Sequence, residues 1–177
     1  MSVPAGSEDA LSAIRRFHEE VERAVAEVTA RLPFRLACRR GCTDCCLDDL
    51  AVFPLEADRI RSEAAGLLAA GTPAPAGRCA FLADDGACRI YESRPYVCRT
   101  QGLPLRWHEA QETERRDLCP LSDEPLAAAG HELGKLAPDQ CWQLGPFESR
   151  LAGLQAEHHG FADPPPRIAL RSLFDRD

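Results

Sequence analysis

Apolar side chains recur at steps of three and four near the start of the chain, at Leu11, Ile14, Phe17, Val21, Val25, Val28 and Leu32. That spacing lays them on one stripe of a helix and predicts one over residues 7–32, with Glu19, Glu20, Glu22 and Arg23 on its other faces. Pro33 ends it. A short apolar run at 49–53 fits a strand or a loop. Pro54 then opens a helix predicted over 55–68, with Ile60, Ala64, Leu67 and Leu68 as its apolar face. Residues 71–77, rich in Gly, Pro and Ala, read as a loop.

Cys79-Ala80-Phe81-Leu82 and Cys88-Arg89-Ile90-Tyr91 flank Asp84-Asp85-Gly86, and an Asp-Gly pair between apolar segments predicts a hairpin. Pro95 fits the first turn of a short helix carrying Cys98, with Ser93 near its cap. Beyond Cys119 the pattern weakens. Residues 126–136 suggest a helix interrupted by Gly130 and Gly134, and 147–159 an amphipathic helix closed by Gly160. Pro164-Pro165-Pro166 breaks any helix, and the tail after it is expected to fray.

The fold expected is mainly α with a short β-hairpin, a small irregular domain organised around a cysteine-ligated metal site. Its parts are an N-terminal amphipathic helix (1–33), a cysteine-bearing domain (34–120) and a helical C-terminal extension (121–177).

Composition narrows the function classes. Net charge is −7 at pH 7, which argues against nucleic-acid or anionic-membrane binding, since both need a basic face. No apolar run is long enough to cross a bilayer. The N-terminal residues lack a basic stretch followed by an apolar one, so no secretory signal is expected and the protein is placed in the cytoplasm. Thiols stay reduced there, and nine cysteines then call for metal ligation first and redox chemistry second.

The cysteines are clustered. Cys38-Arg39-Arg40-Gly41-Cys42-Thr43-Asp44-Cys45-Cys46 puts four thiols within nine residues. As a helix it would show them on one face. As a loop, Cys42 and Cys45 have the short spacing that lets two sulfurs meet at one metal. Neighbouring side chains diverge, so one of Cys45 and Cys46 would serve a second metal or a bridge. Cys79, Cys88 and Cys98 form a second group, with Cys119 a candidate final ligand. Cys141, alone before Trp142, reads as a small buried hydrophobe.

Cys38 to Cys46 reads C-x-x-x-C-x-x-C-C, and Cys79 to Arg99 reads C-x-F-L-x-x-x-G-x-C-x-I-Y-E-x-R-P-x-x-C-R. In order, these two motifs resemble the YkgJ-type cysteine-cluster family of zinc- or iron-chelating domains, over about residues 35–120. The resemblance implies that Cys38, Cys42, Cys45, Cys46, Cys79, Cys88 and Cys98 are metal ligands. Cys119 completes a set of eight on a looser match. A related pattern occurs in bacterial flagellin lysine N-methylases, which are iron-sulfur proteins. This chain shows no extra catalytic domain, so that activity is not carried over.

Thiolate-only ligation suits an iron-sulfur cluster or zinc and excludes calcium and magnesium. Eight thiolates allow two four-sulfur sites or one multinuclear site. Arg39, Arg40, Arg78, Arg89, Arg94 and Arg99 lie within four positions of a cysteine. They read either as charge compensation for thiolates or as the arginine bias of a GC-rich genome. His108 is the best non-sulfur ligand candidate. Asp44, Asp48 and Asp49 read as solvated carboxylates. Tyr91, Glu92, Arg94 and Pro95 would shape the turn between ligands, and Arg94 or Arg99 could instead hold an anion. Gly66, Gly71 and Gly77 lack the setting of a phosphate loop.

Three functions compete: an iron-sulfur protein handling electrons or supporting a modification reaction, a zinc-stabilised interaction module without catalysis, and a metal carrier. The partner expected is a metal ion or cluster; a protein partner is possible and unidentified.

Overall fold

The computed structural model describes residues 7–39, 41–109 and 113–175. Helix α1 spans Glu8–Arg31, as the apolar stripe predicts. Leu11, Ile14, Phe17 and Val21 are buried, while Val25, Val28 and Leu32 are half-buried. Ser7 accepts a hydrogen bond from the Ala10 N–H at 3.2 Å and so caps the first turn. The chain divides into two compact units: residues 1–18, 43–95 and 151–177, and residues 19–42 and 96–150.

In the first unit, strand β1 (Ala51–Val52) leads into helix α2 (Pro54–Glu63) and helix α3 (Ala65–Ala70). The single helix expected over 55–68 is two, divided at Ala64, where the backbone leaves helical geometry at φ −113° and ψ 22°. The Glu56 carboxylate reaches back to the Phe53 N–H at 3.4 Å and satisfies one free donor at the start of α2. The same carboxylate lies 3.3 Å from His18 Nε2 in a buried polar contact.

The core of this unit gathers Val52, Ile60, Phe81, Ile90, Leu170, Leu173 and Phe174. The expected reversal at Asp84-Asp85-Gly86 is present: Ala83 N–H bonds to Ala87 O at 2.8 Å, with Gly86 at φ +79°. The ladder beside it shrinks to one antiparallel bridge, Leu82 to Cys88. Leu82 N–H turns back onto Cys79 O at 3.0 Å, so the first arm bends before it can pair further.

The tail corrects the expectation of fraying. Strand β5 (Ile168–Ala169) pairs antiparallel with β1, and a 3₁₀ turn follows at Leu170–Phe174 with Leu170, Leu173 and Phe174 buried. Apolar burial at these three positions outweighs the ordering cost that frees most chain ends.

The second unit holds helix α4 (Tyr96–Thr100) and a three-stranded sheet in the order β3-β2-β4. Strand β2 (Leu105–His108) pairs antiparallel with β3 (Glu114–Asp117) and parallel with β4 (Trp142–Gln143). A short helix α5 (Asp123–Ala128) and a 3₁₀ turn at Leu133–Lys135 replace the interrupted helix expected over 126–136. Pro95 lies directly before α4. Helix α6 (Pro146–His159) matches its expected span to within a residue. A second core joins Phe34, Leu118, Leu126, Leu136 and Cys141. Among the described residues no helix is long and apolar enough to cross a membrane.

Candidate metal centre

All nine cysteines are free thiols. The described residues between Cys38 and Cys46 form a loop, not a helix, tightened by Cys42 N–H to Arg39 O and Cys46 N–H to Thr43 O, both at 2.9 Å. The eight candidate ligands sort by unit. Cys45, Cys46, Cys79 and Cys88 lie in the first; Cys38, Cys42, Cys98 and Cys119 lie in the second.

In the first unit, the Cys79 N–H bonds to Cys46 O at 2.9 Å and stitches the two cysteine loops together. The bridge from Leu82 to Cys88 brings the third arm alongside. Cys46 and Cys88 pack, half-buried, against the core that contains Cys79. Burial pushes both the Cys79 and Cys88 thiols up, because a thiolate loses its hydration there, and negative charge on Cys79 adds to the rise at Cys88. Positive charge from Arg89 opposes the rise at both, with Arg171 acting on Cys79 and Arg94 on Cys88. Cys45 goes the other way. A hydrogen bond from the Cys46 side chain lowers it from 9.0 to about 6, against a smaller opposing effect of burial. An open cleft of about 590 Å³ borders Cys88, with Glu63, Leu67, Arg89 and Tyr91 on its walls.

In the second unit, the Cys38 thiol donates to Gln101 O at 3.8 Å, just beyond the α4 turn that carries Cys98. Gly102 follows with φ +86°, and a Cβ built there would stand 2.1 Å from Cys38 Sγ. Only glycine leaves room for that sulfur. The Ala37 N–H bonds to Ser122 Oγ at 3.1 Å, and the Ser122 N–H to Cys119 O at 2.8 Å, which brings the Cys38 loop and the Cys119 turn together.

Among the described residues no three His, Cys, Asp or Glu side chains converge as ligands to one ion. The donor chemistry nevertheless fits a thiophilic metal: reduced thiols, loops joined by backbone hydrogen bonds, and a glycine cradle against one sulfur. His108 is exposed on β2, with Nε2 3.8 Å from Glu114 Oε2. Cys141 is buried in the second core, and burial raises its thiol.

Residues 37–120 match a family model described as "CxxCxxCC: Putative zinc- or iron-chelating domain". This segment is similar to that cysteine-cluster family. No curated protein and no solved structure matches the chain. All eight candidate ligands fall inside the CxxCxxCC segment, and Cys141 falls outside it.

Three of the arginines near the thiols make defined contacts. Arg89 donates to Thr72 O at 2.8 Å and Ala80 O at 2.6 Å. Arg94 stacks 3.8 Å over the Tyr91 ring. Arg99 is buried and pairs with Glu22 at 2.6 Å. Arg40 lies outside the described residues.

Asp48 departs from the solvated carboxylate expected of it. It binds Arg171 and accepts the Gly77 N–H at 2.9 Å, and both contacts hold its carboxyl below the usual range. Sequence reasoning missed Asp48, Arg171 and Gly102. Gly102 had a readable signal, a glycine just after a short helix. Arg171 had none, since it lies 123 residues from Asp48.

Proposed function

We propose that this protein binds metal through two four-thiolate sets, Cys45, Cys46, Cys79 and Cys88 in one unit and Cys38, Cys42, Cys98 and Cys119 in the other. Each set holds an iron-sulfur cluster that serves a redox or modification-related role. The supporting observation is the even division of eight free thiols between the units, with loop-to-loop hydrogen bonds inside each. Four thiolates leave either a [4Fe-4S]²⁺ cluster or a zinc ion near −2, and such a charge needs cations and N–H donors around it. Arg89 and Arg94 supply positive charge in the first unit. When bound, a cluster would supply one-electron chemistry. The residues of this chain hold it, balance its charge and limit its contact with water.

A second reading is a zinc-stabilised interaction module. It is favoured by the same all-thiolate sets, which fill four positions and leave none open for a substrate.

Anaerobic purification followed by a visible spectrum and assays of iron, zinc and acid-labile sulfide separates the two. A brown protein with sulfide supports the first. A colourless protein with two zinc ions per chain supports the second and removes the first. Cys79→Ser and Cys98→Ser should each remove about half of the metal. If either strips all of it, the eight thiolates serve one shared site.

A further inference from the structure

We propose that Arg171, outside the CxxCxxCC segment, is a positioning residue that fixes the Cys46 and Cys79 loops for metal binding. The inference rests on the metal-binding reading above. A guanidinium presents five N–H donors in a fixed plane. Here Arg171 Nε binds Asp48 Oδ1, Nη1 donates to Ala74 O at 2.8 Å, and Nη2 donates to Pro75 O at 3.2 Å and Arg78 O at 2.9 Å. The other Asp48 oxygen takes the Gly77 N–H at 2.9 Å. Asp48 stands two residues after Cys46, and Arg78 directly precedes Cys79. One side chain therefore ties together the two loops whose own link is the 2.9 Å bond from Cys79 N–H to Cys46 O.

The anchor is itself held. Leu170 N–H bonds to Leu50 O at 2.9 Å, β5 pairs with β1, and Leu170, Leu173 and Phe174 are buried on either side of Arg171. This differs from an ordinary surface ion pair, where two long side chains meet in water and either partner can turn away. Three carbonyls and a carboxylate converge on Arg171, while the Arg78 N–H also reaches Pro75 O at 3.3 Å and the Gly77 N–H reaches Asp48. Arg171 thus joins a set of local bonds and, among the described residues, alone spans from Asp48 to Ala74 O, Pro75 O and Arg78 O. The CxxCxxCC segment of this chain thus takes part of its frame from residues well beyond 120.

The test uses the full chain loaded with Co²⁺, whose sulfur-to-metal charge-transfer band reports thiolate ligation, and a chelator to draw the metal out. Arg171→Met should speed release from the Cys46–Cys79 set about 10–100-fold, the range for partners that orient metal ligands. Arg171→Lys should restore only part of this, since an ammonium has no planar fork. Arg15→Met, which removes an ion pair with Glu63 in the same unit, should leave release unchanged.

A second readout needs no metal. In metal-free protein, alkylation followed by mass spectrometry should show Cys46 and Cys79 losing protection in Arg171→Met, with Cys98 and Cys141 unchanged. If Arg171→Met exposes all nine thiols by unfolding, Asp48→Asn, nearly isosteric, gives the same localised comparison. Wild-type release rates in both variants, or protection lost equally at Cys141, would overturn the proposal. A wild-type chain that takes up neither Co²⁺ nor Zn²⁺ would instead remove the metal-binding reading, and the alkylation pattern would still decide whether Arg171 holds these loops.

Discussion

At the residue scale the two adjacent thiols, Cys45 and Cys46, have the sharpest consequence. The tight turn from Thr43 to Cys46 lets the Cys46 side chain donate to its neighbour, and the Cys45 thiol falls to about 6. A group lowered on folding adds stability that is fully present above its unfolded value and is lost as pH falls through its folded value. In metal-free protein Cys45 should therefore be a thiolate at neutral pH and the first cysteine to react with iodoacetamide, with a rate midpoint near pH 6. Cys46→Ala should return that midpoint toward the ordinary thiol range; an unchanged midpoint would remove the hydrogen bond as its cause. Gly102 gives a second case. An alanine there meets both the left-handed backbone, costing about 1–2 kcal/mol, and Cys38 Sγ at 2.1 Å. Gly102→Ala should lower the thermal midpoint and weaken metal loading of the Cys38 set, while Gly130→Ala, equally left-handed but with open space around it, should show only the first effect.

At the scale of elements, the C-terminal tail contributes more than its length suggests. Phe174 is buried with its ring centroid 4.9 Å from that of Phe81, in the core that backs Cys79. Phe174→Ala should cost about 3–5 kcal/mol in chemical denaturation. Phe161→Ala, at a ring that is 87% exposed, should cost almost nothing. The tail was not legible in the sequence because a two-residue strand and one 3₁₀ turn are too short to carry a period. The β2–β3 pair was missed for another reason: Arg106, Arg115 and Arg116 keep both strands polar, so no alternation marks them. Long elements were legible. Helices α1 and α6 repeat their apolar positions often enough to fix type and extent. The site divides along the same line. Motif spacing named the cysteines, but their grouping depends on closures such as Cys38 to Gln101 and Ala37 to Ser122, 63 and 85 residues apart. Local spacing holds no record of such contacts.

At the scale of the whole molecule, metal and protons compete for the same sulfurs, and the two forms should part at alkaline pH, where the buried thiols ionise. In metal-free protein, burial raises Cys79, Cys88 and Cys141. Their contribution is fully present below the ordinary thiol value and is lost as pH rises through the raised folded values, where buried thiolates form without a partner. Metal reverses this at Cys79 and Cys88, the two of the three that are candidate ligands. A bound metal needs deprotonated sulfur, so loading expels the protons that burial favours, and the metal then supplies the charge that the apolar surroundings lack. The loaded protein should hold its thermal midpoint into alkaline pH and lose it on acidification, as returning protons displace the metal. Thermal melts of both forms across pH 5–10 test this directly. Above the ordinary thiol value the metal-free curve should decline while the loaded curve holds. Toward acid both should fall, the metal-free one as Cys45 takes up its proton through about pH 6 and the loaded one as metal is released. Cys79→Ala should flatten part of the alkaline decline in metal-free protein, because one buried thiol that must ionise is gone. Superimposable curves for the two forms would mean that the buried thiols are not the groups that metal discharges.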